Sequence, residues 1–322
     1  RWLLSFNPPN CKAVTRPICY DYATVAKRFR STKASRGARD RPRRQSGGRS
    51  ANRRIDTTPV TLVPVIDSNQ RGDSNIDRST APVGAILVHG YGVRSYFWHG
   101  LAPEMRSVVG VLSTPDLEIE SVQHGVDELR ALSAAKAIEW DGPIMLVGHS
   151  LGGIICALVA RDIEPDIVSH LVVIASPYGN RVGRGFGPIA KTLLALRLMP
   201  ASVLRRRFFG PSVPSEEQMR VFAQASTESR ELQDLAKQRR WFHTDAFPNG
   251  VPQKSLVLAS ESDRVVHWRE TEEFGRALGA RFLLFGRQLG IGHNDFGVWP
   301  AAAGNVAGAI RQFVSELHNQ SG

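Results

Sequence analysis

The stretch MLVGHSLGG, Met145 to Gly153, sets a histidine and a serine among glycines directly after an apolar run. PIMLVG (143–148) reads as a buried strand and 151–162 as the helix that follows it. Serine is a weak nucleophile and glycine is costly inside a helix. Both make sense if the chain turns sharply from strand to helix at Ser150. Gly148-His149-Ser150-Leu151-Gly152 fits the pattern G-x-S-x-G. In that pattern the serine sits in strained backbone, with its hydroxyl lifted above the sheet edge. The glycines leave room for the turn, and the helix N-terminus offers N–H groups and partial positive charge to a developing oxyanion.

On either side of this turn, short β-rich runs alternate with helical periodicity. VTLVPVI (60–66), VGAILVH (83–89), a run within 108–117, HLVVIA (170–175), KSLVLAS (254–260) and RFLLF (281–285) read as strands. Helices are expected over 121–139, where Val122, Val126, Leu129, Leu132 and Ala135 are spaced for one face, and over 269–279 and 301–318. Such alternation implies an α/β fold, a mostly parallel sheet flanked by helices. Between Pro177 and Gly250 no strand pattern occurs, only helical stretches at 189–199 and 216–242. The interval 177–250 is therefore expected to be a helical cap insertion over the C-terminal edge of the sheet, where open α/β sheets bind ligands.

From about residue 83 to 318 the chain resembles the α/β-hydrolase superfamily, particularly its lipase and esterase members. ILVHGYG is similar to the family's strand and oxyanion loop, and LVGHSLGG to its nucleophile elbow. LVLASESDRVV resembles the strand and turn that carry the acid, and GIGHND the histidine loop. The order Ser, acid, His is also the family's. The resemblance implies Ser150 as nucleophile, His293 as general base and Asp263 as the group that orients the imidazole. It also implies an oxyanion hole from the backbone N–H groups of Tyr91 and Leu151. The implied reaction is hydrolysis of a carboxylic ester through an acyl-enzyme, with no metal and no cofactor. VVIASPYGN (172–180) is similar to a segment of bacterial lipases, which favours lipid or medium-chain esters. A thioesterase, amidase or acyltransferase on the same residues stays open, as does a non-catalytic binding protein on this scaffold. Serine at the elbow, where the dehalogenase and epoxide hydrolase branches carry aspartate, argues against those two.

Each assignment has a rival. His267 lies four residues beyond Asp263 and could stand in for His293, and Glu261 could replace Asp263. Tyr96, Phe97 and Trp98 could line an acyl pocket or fill core. His89 and His149 are expected to hold the oxyanion loop and pack beside the elbow. Asp116 follows a strand and could bind a ligand, but reads better as a solvated turn acid. Arg205, Arg206 and Arg207 read as a solvated helix end or a contact for an anionic group.

The net charge of +11 invites a nucleic-acid reading, but its distribution opposes one for the body. Residues 1–58 hold 15 Lys+Arg and three acids, a net of +12, against −1 for the remainder. That basic, Arg/Ser/Gly-rich segment is expected to be a disordered tail, with 59–322 the hydrolase-like domain. The tail could touch RNA, anionic lipid or an acidic partner, and its acid-poor composition is like that of a transit peptide. For the body the expected partner is a small-molecule or lipid ester, with no nucleic acid. No apolar run approaches the ~18 residues of a membrane span. Cys11, Cys19 and Cys156 provide no disulfide framework. A cytoplasmic setting is expected.

Overall fold

The computed structural model describes residues 82–178, 201–238 and 245–319. All of them belong to one compact unit, Ile55–Gly322. The expected tail, the strand at 60–66 and the helix at 189–199 lie outside the described residues. The elements run β1 (Gly84–Val88), a 3₁₀ turn (Ser95–His99), α1 (Leu101–Met105), β2 (Val111–Ser113), α2 (Val122–Glu139), β3 (Ile144–His149), α3 (Leu151–Asp162) and β4 (Val168–Ile174). Next come α4 (Ala201–Phe208), α5 (Ser215–Ala223), α6 (Arg230–Gln238), β5 (Lys254–Ser260), α7 (Trp268–Leu278) and β6 (Arg281–Phe285). A 3₁₀ turn (Arg287–Leu289), α8 (Asp295–Val298) and α9 (Pro300–Asn319) close the chain.

The six strands are all parallel, in the order β2-β1-β3-β4-β5-β6. β1 and β3 are buried along their whole length, so the pattern in them is a continuous apolar run. Successive side chains still point to opposite faces. Ala85, Leu87, Met145 and Val147 join one core cluster with Phe296, Ala303 and Ile310, beneath α8 and α9. Ile86, Val88, Ile144 and Leu146 join the other with Leu129, Ile154 and Phe274, beneath α2, α3 and α7. Ser121 starts α2 by accepting the His124 N–H at 3.0 Å. Gly279 ends α7 in left-handed backbone, φ 69°, with its N–H on the carbonyls of Arg276 and Gly275.

Strand order reverses direction between β1 and β3, since β2 lies outside β1 and β4 outside β3. The loops leaving those two strands at their C-terminal ends therefore diverge and leave a crevice. The first carries His89–Gly92 and the second is the turn at Ser150. α4, α5 and α6 fall between β4 and β5 in the sequence, as the insertion reading expects. The helical stretch expected at 216–242 is broken: α5 ends at Ala223, and 224–229 is irregular before α6. Phe209, Val213 and Val221 of this insertion join the core cluster beneath α8 and α9.

Candidate active site

Ser150 occupies the turn with φ 53° and ψ −118°, a conformation that L-residues adopt at a cost of about 1–3 kcal/mol. Two neighbours hold it there. Its N–H donates to Ile174 O at 2.9 Å, and its carbonyl accepts the Gly153 N–H at 3.1 Å. The glycines are required by close approach. A Cβ on Gly152 would meet the carbonyls of Val88 and His89, and one on Gly148 would meet the backbone of Gly152. Turn, helix and β1 thus pack backbone to backbone, and Ser150 is left half-buried at the edge.

Asp263 lies on the turn after β5, with its side chain 1% exposed. Its Oδ1 accepts the N–H groups of Val265 (2.7 Å) and Val266 (3.0 Å), which fixes the carboxylate. Its Oδ2 accepts from His293 Nδ1 at 2.8 Å. That bond puts the proton on Nδ1 and leaves Nε2 as the basic nitrogen. The His293 ring is 4% exposed. Within the described residues, no hydrogen bond joins it to Ser150 Oγ. The two are linked through His149, whose ring centroid is 4.6 Å from that of His293 and whose Nε2–H donates to His293 O at 2.9 Å. Burial, and then the nearby His293, push the His149 pKa well below the ordinary value, so this ring stays neutral.

The rivals are engaged elsewhere. Glu261 Oε2 accepts the Arg287 N–H at 2.9 Å, and His267 caps α7 by accepting the Arg269 N–H at 3.2 Å. Phe97 and Trp98 are core: both are fully buried, and Phe97 stacks on His149 at 4.5 Å. His89 is buried, with Nδ1 3.1 Å from Gly90 O, and burial lowers its pKa. Asp116 Oδ1 accepts the Ser95 N–H at 2.5 Å, so it braces the segment after the loop that leaves β1. Arg205, Arg206 and Arg207 form the last turn of α4, and the Arg206 carbonyl accepts from Arg264 Nη1 at 3.2 Å.

Two acids at this edge escaped the sequence reading. Asp295 is 2% exposed and accepts N–H groups from Gly292 (2.7 Å) and from Gly210 of the insertion (3.0 Å). Burial raises its pKa to about 6, against those two bonds. Beside it, the Asn294 N–H donates to Phe208 O at 2.8 Å, a second tie between the histidine loop and the insertion. Glu228 accepts the Gly92 N–H at 2.6 Å. Asp295 stands two residues after His293, where its partner in the insertion has no sequence signal. Glu228 is separated from Gly92 by 136 positions in a segment without periodicity. A cavity of about 450 Å³ lined by Arg161, Pro248, Asn249, Gly250, Val251 and Pro252 contains none of these residues. Among the described residues no group of three or more His, Cys, Asp or Glu is placed to hold a metal ion.

Residues 85–296 match the model of the alpha/beta hydrolase family, a span running from β1 to the histidine loop. The chain belongs to the alpha/beta hydrolase family. Its fold is shared with solved members at low identity. A thermophilic esterase from Thermogutta terrifontis is 19% identical, with a TM-score of 0.55, over 74% of this chain and 92% of that one. A lipase-esterase related protein from Clostridium acetobutylicum is 16% identical, with a TM-score of 0.57, over 74% and 97%. A candidate non-heme bromoperoxidase, BpoC from Mycobacterium tuberculosis H37Rv, is 19% identical, with a TM-score of 0.57, over 73% and 94%. At these identities the likeness is one of fold. A curated relative, polyketide synthase PksR of Bacillus subtilis, is 28% identical over 121 residues, which is 36% of this hydrolase-family chain. The chain spans 5% of the length of that synthase. None of the helices in the described residues is long and apolar enough to cross a membrane.

Proposed function

We propose that this alpha/beta hydrolase family member is a serine hydrolase that cleaves a carboxylic ester through an acyl-enzyme. The observation that carries the reading is the buried His293–Asp263 pair, 2.8 Å apart, joined through His149 to a serine in strained backbone at the mouth of the β1/β3 crevice. In this reading Ser150 Oγ attacks the ester carbonyl while His293 Nε2 takes its proton. Asp263 holds the Nδ1–H and stabilises the imidazolium that forms. The Leu151 N–H, in the first helical position of α3 without an intrahelical acceptor, and the Tyr91 N–H receive the oxyanion. His293 then returns the proton to the departing alcohol, and a water activated by the same nitrogen releases the carboxylic acid.

The esterase and lipase neighbours favour an ester over other acyl groups, and the substrate sought is a small-molecule or lipid ester. The test combines fluorophosphonate labelling with a panel of ester, thioester and amide substrates of increasing acyl length. The expected result is labelling of the wild type and not of Ser150→Ala, ester turnover above thioester and amide, and a loss on the order of 10⁴–10⁶ in kcat for Ser150→Ala. Equal turnover by the two proteins would falsify the nucleophile assignment. Preference for the thioester or amide would move the substrate class while leaving Ser150 in place.

A further inference from the structure

We infer that Glu228, contributed by the insertion, is a positioning residue for the oxyanion loop. This rests on the serine-hydrolase reading of the site. Gly92 is held by the insertion at both of its backbone polar groups. Its N–H donates to Glu228 Oε1 at 2.6 Å, and its carbonyl accepts the Ser226 N–H at 3.0 Å. The Glu228 side chain is only 2% exposed, and the same oxygen also accepts from Arg94 Nη1 at 3.1 Å and Ser226 Oγ at 3.4 Å. Arg94 Nη1 donates in addition to Val93 O at 3.0 Å, so one carboxylate oxygen braces both Gly92 and the residues after it. Glu228 is itself secured, because Gln233 Nε2 donates to its carbonyl at 2.9 Å.

The loop needs such a brace. Gly92 has φ +76°, a conformation reached readily by glycine, and Gly90 two residues earlier adds further freedom. Gly90 is confined by packing, since a Cβ there would lie 3.1 Å from His149 and from the Ser150 Cβ. Gly92 has no such confinement; its nearest neighbour in that direction is Ser226 O at 3.9 Å. Its orientation is therefore fixed by hydrogen bonds. Tyr91 stands between the packed glycine and the bonded one. Its N–H can point steadily at a developing oxyanion only while both sides are held. A buried charge-assisted bond to a backbone N–H is a strong and directional one. Glu228 thereby acts on catalysis without touching the substrate. The insertion, expected by sequence to be a helical cap over the ligand-binding edge of the sheet, enters the chemistry through the geometry of the hole.

The experiment measures ester kinetics and amide hydrogen exchange of residues 90–94 for the wild type, Glu228→Ala, Glu228→Gln and Glu228→Asp. Glu228→Ala is expected to lower kcat about 30–100-fold with KM changed less than threefold, because misplacement of a group by about 1 Å costs about 10² in rate. Exchange across 90–94 should rise at least tenfold while α3 is unaffected. Glu228→Gln keeps an acceptor of the same reach for Gly92 and should recover kcat to within about fivefold of the wild type. Glu228→Asp keeps the charge but withdraws it by one methylene, and should resemble Glu228→Ala; it substitutes for that variant if the alanine protein does not fold. Unchanged exchange in the Ala and Asp variants overturns the proposal whatever the activity. Raised exchange with unchanged kcat overturns the catalytic part. Equal loss of kcat in the Gln and Ala variants, with exchange across 90–94 unchanged in the Gln variant, would overturn the proposal by assigning the effect to lost charge rather than to positioning. A wild type inert to esters and fluorophosphonate would instead sink the serine-hydrolase reading, while the exchange data still judge the brace.

Discussion

Asp263 and Glu261 share one turn, two residues apart, yet the fold gives them different work. Asp263 faces inward with one oxygen on two backbone N–H groups and the other on His293. Glu261 faces outward to the Arg287 N–H. Asp263→Asn should therefore lower kcat on the order of 10⁴, since an amide there leaves the imidazole in the wrong tautomer. Glu261→Gln should change it less than about tenfold, or ~1.4 kcal/mol in the barrier. Steady-state rates of both variants at matched fold content decide the matter, and the reverse ranking would reassign the acid. Asp295 makes a different prediction, about stability. Its folded pKa of about 6 lies above the ordinary 3.8, because burial penalises the charge more than the Gly292 and Gly210 bonds favour it. The native state thus holds this proton more tightly than the unfolded chain does. The resulting stabilisation is complete below about pH 4 and is lost as pH rises through about 6. Relative to Asp295→Asn, the wild type should lose roughly 2–3 kcal/mol between pH 4 and pH 7. Urea unfolding of both proteins at several pH values measures this difference, in which all other titrations cancel. A flat difference would mean that Asp295 has the same pKa in the folded and the unfolded chain.

At the scale of elements, the two glycine-rich helices respond oppositely to the same substitution. Gly152, in the first turn of α3, lies against the carbonyls at the end of β1, so an added methyl must push the turn at Ser150 and the loop after β1 apart. Gly152→Ala is expected to destabilise by about 1–3 kcal/mol and to cut kcat about 10²-fold. Gly304, inside α9, has nothing within 4 Å of the same position. Gly304→Ala should stabilise by up to about 1 kcal/mol through helix propensity alone, with kcat unchanged. Thermal melts and initial rates of the pair provide the check. The same contrast explains what could be read in advance. Strands β1, β3, β4, β5 and β6 and helices α2, α3, α7 and α9 were legible within a residue or two, since continuous apolar runs and helical spacing encode them locally. The 3₁₀ turn at Ser95–His99, α1 and α8 were not, being too short for a period to emerge. The break at 224–229 was hidden because Glu228 and Ser226 take partners far away in sequence. Asp295 lies within GIGHND, two residues after His293. Its role depends on the Gly210 N–H, which no local pattern announces.

For the molecule as a whole, the charge divides from the chemistry. The basic excess lies in residues 1–58, while the proposed catalytic groups and both acids that brace them lie between 91 and 295. Removing residues 1–58 should leave ester turnover per folded molecule within about twofold, and a tenfold loss at equal circular dichroism would tie the tail to catalysis. The proposed site is also assembled from distant parts of the chain. The Gly92–Glu228 bond joins residues 136 positions apart, and the His149–His293 bond residues 144 apart. Closing such loops costs entropy before any contact repays it, so these ties are expected to form late in folding. The parallel strands can associate, and far-ultraviolet signal can recover, while the loops carrying Gly92 and His293 are still unanchored. Refolding followed by activity should then lag behind refolding followed by secondary structure, with the competence of this molecule set by its slowest-closing ties.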